Sequence, residues 1–246
     1  MKKYELIEGQ YPKMHRIRAL RDFGNVKKGD IGGHIKSEAN LSQAGNCWVD
    51  FHAVVLDDAK VLDDARICEH AIISRNAIIA EKAVIKGKAK VGGRAQVYGF
   101  AVVSDQSVIT DNVQVFGNAK VLNESYMSDN AQAFGDAEIN NVWLRDNAKV
   151  YGNSILKGQN YKFDMIWDDA QVYGNAKLLG SFGVGGFSIV CDDALIHGLH
   201  EFGNPGDVVI RGNVVVKGNS RLVGREIDYY GDFVIENETV EKGLFR

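Results

Sequence analysis

Two histidines and two carboxylates lie close together near the C-terminal end of the sequence. His197, His200 and Glu201 stand within five residues, and Asp207 follows shortly after them. An imidazole beside a carboxylate can act as a general base that takes a proton from a hydroxyl or an amine. We therefore identify His197, His200 and Glu201 as candidate catalytic residues.

A second pattern carries binding chemistry: glutamine or lysine, an apolar residue, an aromatic residue and glycine recur five times. If the apolar residue points inward, the side chains on either side of it must point outward, because strand side chains alternate. The candidate interface or ligand-binding residues are Gln96, Tyr98, Gln114, Phe116, Gln132, Phe134, Tyr151, Gln171 and Tyr173. Three interpretations of this face stay open: stacking within the chain, lateral self-association as a homotrimer, and direct binding of a ligand such as a sugar ring.

Other groups of potential metal ligands are better explained by a structural role at the corners of the coil. His52 and His70 lie eighteen residues apart and are expected to stack at one corner, but two ligands do not define a metal site. Asp-Asp-Ala occurs four times, and aspartate is common at tight corners. Calcium would need six or more converging oxygens. The sequence predicts no metal site.

The elements that position these residues follow from a strict period of six. Alanine or a small substitute recurs through fifteen consecutive hexads from Ala53 to Ala137, and an apolar residue follows each one two places later. Asp, Asn or Gly, which tolerate a left-handed backbone, precedes the small residue by two places in eleven of these hexads. This pattern predicts short strands joined by tight corners, with three hexads closing each turn of a coil.

The period breaks at three places, and we expect any active or binding site there or on the glutamine and aromatic face. It slips by one residue near Trp143, admits about four extra residues within 157–163, and is interrupted again within 203–207. Loops at such breaks carry function more often than the regular scaffold does.

Residues before and after the repeat are predicted to cover the open ends of the coil. Residues 1–34 lack the period, and the segments 4–7 and 14–23 have the pattern of short strands. Exposed strand edges are usually covered in natural proteins. The predicted organisation is an N-terminal β cap at 1–34, a β-helix at 35–225 and a C-terminal cap at 226–246.

The segment from Asn25 to Asp50 carries a resemblance to a known family. It contains Gly-Asp-Ile-Gly-Gly and Asn-Leu-Ser-Gln-Ala-Gly-Asn-Cys-Trp and continues into the alanine hexads. In these features the chain resembles the YdcK-like hexapeptide-repeat proteins of bacteria and their prophages. The resemblance implies an all-β fold, a single-stranded left-handed parallel β-helix of about ten coils, and a loose association with acyltransferases.

The amino-acid composition limits the classes of partner that this protein is expected to bind. The formal net charge is −3 and no cluster of Lys and Arg is present, which argues against nucleic acid as a partner. No apolar run is long enough to span a membrane. Three cysteines at unrelated spacings suggest neither a disulfide framework nor a metal motif, so a reducing cytoplasm is the expected location.

Two function hypotheses follow. The first is a non-catalytic oligomeric scaffold that binds a protein partner or small ligand at grooves between subunits and needs no cofactor; the resemblance to prophage proteins suggests a phage origin for it. The second, suggested by the resemblance, is an acyltransferase that uses acetyl-CoA or another acyl-CoA, with His197 or His200 as general base.

Overall fold

A computed structural model describes residues 2–159, 164–199 and 208–242 of the chain. These residues divide into two compact units, 1–118 and 119–246, each described by itself below. The described part contains one short 3₁₀ turn, Glu38–Asn40, and otherwise strands. None of the described residues forms a helix long and apolar enough to cross a membrane.

The described residues of the first unit form fifteen strands. They are β1 (Tyr4–Glu8), β2 (His15–Ala19), β3 (Ile31–Ile35), β4 (Trp48–Val49), β5 (Val54–Val55), β6 (Lys60–Val61), β7 (Arg66–Ile67), β8 (Ile72–Ile73), β9 (Ile78–Ile79), β10 (Val84–Ile85), β11 (Lys90–Val91), β12 (Gln96–Val97), β13 (Val102–Val103), β14 (Val108–Ile109) and β15 (Gln114–Val115).

Parallel pairing arranges most of these strands in three walls. Wall A contains β3, β5, β8, β11 and β14. Wall B contains β6, β9, β12 and β15, and wall C contains β4, β7, β10 and β13. The first unit is therefore a three-sided parallel coil of four turns.

The described residues of the second unit form seventeen strands. They are β16 (Lys120–Leu122), β17 (Tyr126–Met127), β18 (Gln132–Ala133), β19 (Glu138–Asn140), β20 (Trp143–Leu144), β21 (Lys149–Val150), β22 (Ile155–Gly158), β23 (Met165–Ile166), β24 (Gln171–Val172), β25 (Lys177–Gly180), β26 (Phe182–Val184), β27 (Ile189–Val190), β28 (Leu195–Gly198), β29 (Val208–Lys217), β30 (Arg221–Gly224), β31 (Ile227–Glu236) and β32 (Thr239–Lys242).

The same three-sided arrangement holds in the second unit. Wall D contains β17, β20, β23, β26 and the first halves of β29 and β31. Wall E contains β18, β21, β24, β27 and the second halves of β29 and β31. Wall F contains β16, β19, β22, β25, β28, β30 and β32, which makes seven turns. The predicted fold class, an all-β parallel β-helix of hexapeptide repeats, is confirmed.

The hexad folds this way because its two inward positions fill a narrow interior. Ala71 and Ile73 are fully buried, and the equivalent residues of the other regular hexads are buried in the same way. Serine replaces alanine at Ser107 and Ser125 without becoming exposed. The small residue is required where the walls approach one another, and the larger residue fills the middle of each wall.

The corners have the predicted left-handed backbone. Asp57 and Asp63 have φ of 54° and 56°, and Glu69 and Arg75 adopt the same conformation although neither residue type favours it. Hydrogen bonds between turns hold these corners: the Asp57 carboxylate accepts from the Arg75 N–H at 2.9 Å, and Glu69 accepts from Gly87 at 3.1 Å. The first aspartate of each Asp-Asp-Ala thus has a structural role.

The slips predicted near Trp143 and within 157–163 are confirmed by the strand register, whereas the break predicted at 203–207 lies outside the described residues. Trp143 pairs with Tyr126, one residue short of a full turn, and Gln171 pairs with Lys149 across the insertion. Extra residues are inserted, or residues are omitted, at the corners. The columns of side chains along each wall therefore continue in register.

The N-terminal segment packs on the first turn as an antiparallel sheet of β1, β2 and β3. Lys3 is fully buried, and its amine donates to the Cys47 carbonyl at 3.0 Å and lies 3.3 Å from the Cys47 sulfur. Burial lowers the pKa of Lys3. At the other end, β31 and β32 add a further parallel turn. The proposed boundaries of the caps stay a prediction.

Candidate functional site

The first unit carries two of the repeated aromatic motifs on wall B. Gln96 pairs in register with Gln114, so the aromatic residues two places later also lie beside each other. The Tyr98 and Phe116 rings are 5.0 Å apart and tilted by only 2°. Each ring covers one face of the other, and both remain partly exposed.

The second unit carries the other three motifs on wall E. Phe134 and Tyr151 stack at 4.7 Å and 3°, and Tyr151 and Tyr173 stack at 4.9 Å and 12°. The Tyr151 hydroxyl donates to the Gln171 side-chain oxygen at 3.2 Å. The prediction that these side chains point outward in columns is confirmed within each unit. Their use as an interface or ligand site stays a prediction.

Tyr173 is chemically distinct from the other rings. Its hydrogen bond with the Cys191 thiol, together with burial, raises the pKa of Tyr173 to about 12. Burial also raises the pKa of Tyr98 and Tyr151 above the ordinary value. The tyrosines of these columns therefore stay protonated at neutral pH and can donate hydrogen bonds.

Of the three candidate catalytic residues, only His197 lies in the described part of the chain. His200 and Glu201 fall outside the described residues. His197 stands on wall F, where its neighbours in register are Leu179 and Val223. A general-base role for His197 stays a prediction.

The expected histidine stack is confirmed. The rings of His52 and His70 lie 4.9 Å apart on an exposed corner of the first unit. Within the described ranges, no group of three or more His, Cys, Asp and Glu side chains could hold a metal ion.

A groove that the sequence reasoning missed lies in the second unit, at the corner between walls D and E. Its volume is about 550 Å³. The residues that line it are Trp167, Asp168, Gly186, Phe187, Arg211, Gly212, Asn213, Tyr230, Gly231 and Asp232. Phe187 and Tyr230 are 65% and 79% exposed, among the most exposed large apolar or aromatic side chains of the described residues.

Two glycines seat the Trp167 ring at one end of this corner groove. A Cβ at Gly185 would collide with the indole ring, and one at Gly183 would lie 3.0 Å from its Cζ3 atom. The ring therefore lies over the backbone of the following turn, in space that any larger side chain would occupy. Trp167 is half-buried and held in place.

Polar side chains complete the groove. The Arg211 guanidinium pairs with the Asp228 carboxylate at 2.6 Å. The Asn213 amide donates to the Asp232 carboxylate, and Asp168 accepts from the Gly186 N–H at 3.0 Å. Rings and planar polar groups thus face the same open volume.

Phe187 interrupts a column of Asn and Asp side chains, which resumes with Asn213 and Asp232 on the next turns. Along this corner Asn130 donates to Asn147 at 3.1 Å, and Asn147 donates to Asp169 at 3.0 Å. Phe187 occupies the equivalent position of the next turn. A phenylalanine at a corner position that otherwise carries Asn or Asp is the sequence signal that could have located the groove.

The strand register defines the chain as a parallel β-helix protein of the hexapeptide-repeat class. No protein-family profile matches the sequence, and no curated protein matches it. Among solved structures it is similar to the UDP-N-acetylglucosamine O-acyltransferase LpxA from Moraxella catarrhalis RH4. That similarity has 14% identity and a TM-score of 0.42, and it covers 72% of this chain and 71% of the other. Similarity at this level carries no inference about activity.

Proposed function

We propose that this protein is a non-catalytic binding scaffold that self-associates laterally, with a trimer favoured. The supporting observation is the regular outward display of aromatic rings on walls B and E, with interplanar angles of 2° to 12°. Within each unit, ring edges arranged in this way form a flat surface of fixed shape. Surfaces that combine aromatic area with hydrogen-bonding groups are typical of protein interfaces.

The scaffold assignment also agrees with the chemistry of the described residues. Asp57, Asp63, Asp168 and Asp192, the first residues of the Asp-Asp-Ala repeats, accept backbone N–H donors of the following turn. Their carboxylates are therefore engaged in holding the coil together. An outward surface of rings and amides is left to contact a partner.

Light scattering tests self-association directly. The variant Tyr98→Ser/Phe116→Ser/Phe134→Ser removes three rings from walls B and E. We expect the wild type to have about three times the 27.1 kDa mass of one chain, and the variant to have a lower mass.

A matched control separates the interface from a general loss of aromatic surface. Tyr11→Ser/Phe51→Ser removes two exposed rings that are not part of walls B and E, and the mass should not change. If the triple variant keeps the wild-type mass, the columns only stabilise the coil and the proposed interface is wrong.

A further inference from the structure

We infer that the corner groove of the second unit binds a neutral oligosaccharide. This inference does not depend on self-association, because every residue that lines the groove belongs to one unit of one chain. It assigns the aromatic residues Trp167, Phe187 and Tyr230 to ligand binding.

The spacing of the rings indicates an extended ligand. Trp167 lies over Gly185, and in the strand register Gly185, Arg211 and Tyr230 follow one another on successive turns. Neighbouring strands lie about 4.8 Å apart, so the Trp167 ring and the Tyr230 backbone are separated by roughly 10 Å. A ligand that contacts both groups must therefore extend over about 10 Å.

The charge of the groove disfavours phosphate-bearing ligands. Asp168 and Asp232 line the groove together with one guanidinium, that of Arg211, which is already paired with the nearby Asp228 carboxylate. The formal charge of this group is therefore negative. Nucleotides and acyl-CoA would be repelled, whereas an uncharged ligand would not.

The functional groups match a pyranose chain. The C–H face of a sugar ring packs against an aromatic face, and its hydroxyls both donate and accept hydrogen bonds. Asp232 and Asn213 supply carboxylate and amide groups on one side, and Arg211 supplies N–H donors on the other. A purely apolar chain would remove these exposed polar groups from water and offer them no additional hydrogen bond.

The exposure of the rings supports the same conclusion. Phe187 and Tyr230 leave more than half of their surface in contact with water, unlike the stacked rings of wall E. Gly183 and Gly185 hold the indole in place before any ligand arrives. A seated ring costs less conformational entropy on binding than a freely rotating one.

Isothermal titration calorimetry with defined sugars tests the inference. The probes are cellohexaose, maltohexaose, chitohexaose and glucose, with ATP and choline as charged comparisons. We expect at least one neutral hexasaccharide to bind with a Kd of about 1 mM or lower, at least about tenfold more tightly than glucose. ATP and choline should give no binding heat.

Matched variants locate the binding site. Tyr230→Ser and Phe187→Ser should each weaken hexasaccharide binding by about tenfold. Phe100→Ser removes a corner phenylalanine of similar exposure in the first unit and should leave the affinity unchanged. The triple variant of walls B and E should bind the sugar like the wild type whatever its mass, so failure of the assembly proposal and failure of this one are distinguishable.

Three results would overturn the inference. They are no heat from any hexasaccharide at about 10 mM, equal weakening by Phe100→Ser and Tyr230→Ser, and tighter binding of ATP or choline than of every sugar. Circular dichroism on each variant checks that the coil is intact. Tyr230 is so exposed that its replacement should not disturb folding.

Discussion

The aromatic residues of the second unit fall into two groups with opposite surroundings. On wall E, Phe134, Tyr151 and Tyr173 recur once per turn and cover one another. At the corner groove, Phe187 and Tyr230 do not repeat and remain largely exposed. A ring that recurs with the coil has neighbours of its own kind, whereas a ring that interrupts the pattern is available to a ligand.

The largest expected effect concerns the middle of the stack. Tyr151→Ser removes two ring contacts, each worth about 0.5–1.5 kcal/mol. The free energy of unfolding should therefore fall by about 1–3 kcal/mol. Tyr230→Ser should lower the free energy of unfolding by no more than about 0.5 kcal/mol, because the Tyr230 ring is largely exposed. Thermal unfolding of both variants measures the difference, and equal losses would contradict the distinction between the two groups.

A methyl group under the indole should disturb the groove alone. Gly185→Ala places a Cβ where the Trp167 ring lies, and overpacking of this kind costs about 1–3 kcal/mol. The displaced indole should enter water and its fluorescence should shift to longer wavelength. The shift should vanish in a Trp167→Phe background.

Gly92→Ala is the matched control for this change. Gly92 occupies the equivalent outward position on wall A, and an added Cβ there would meet only the Ser74 hydroxyl, at 3.1 Å. It should alter neither stability nor fluorescence appreciably. An equal loss of stability in both variants would mean that the indole is not seated on Gly185.

A smaller effect should appear at alkaline pH. The pKa of Tyr173 is raised to about 12 in the folded chain and is about 10 when unfolded. Its contribution to stability is therefore present below pH 10 and is lost as the pH rises through about 12. Cys191→Ala should lower this pKa, because the hydrogen bond to the thiol is the main cause.

Spectrophotometric titration of tyrosinate absorbance measures this shift, with Tyr173→Phe identifying the signal. If the tyrosinate signal that Tyr173→Phe removes still titrates at the same pH in Cys191→Ala, the thiol is not the partner of Tyr173.

In the last experiment, which tests acetyl-CoA binding, we expect no effect. Acetyl-CoA at millimolar concentration should give no heat with the wild type or with His197→Gln, because a scaffold needs no acyl donor. Saturable binding that His197→Gln weakens would favour the acyltransferase hypothesis over the scaffold.

The sequence was sufficient to predict the coil, its inward residues and its slips, because the hexad is a local pattern that the strand register preserves. The stacked columns were predictable for the same reason. The groove was not, because Trp167, Phe187, Arg211 and Tyr230 are separated by unequal stretches of chain. Their proximity depends on how each interruption is absorbed at a corner, which no fixed period reveals.

The side-chain hydrogen bonds between corners run in two directions. At the left-handed corner position the earlier turn supplies the carboxylate and the later turn supplies the N–H, as in Asp63 with Glu81 and Asp192 with Gly218. One place further along, the earlier turn supplies the amide donor, as Asn130 does to Asn147. A finished turn therefore presents both acceptors and donors to the segment that emerges next from the ribosome. Growth can follow the order of synthesis, each turn serving as the template for its successor.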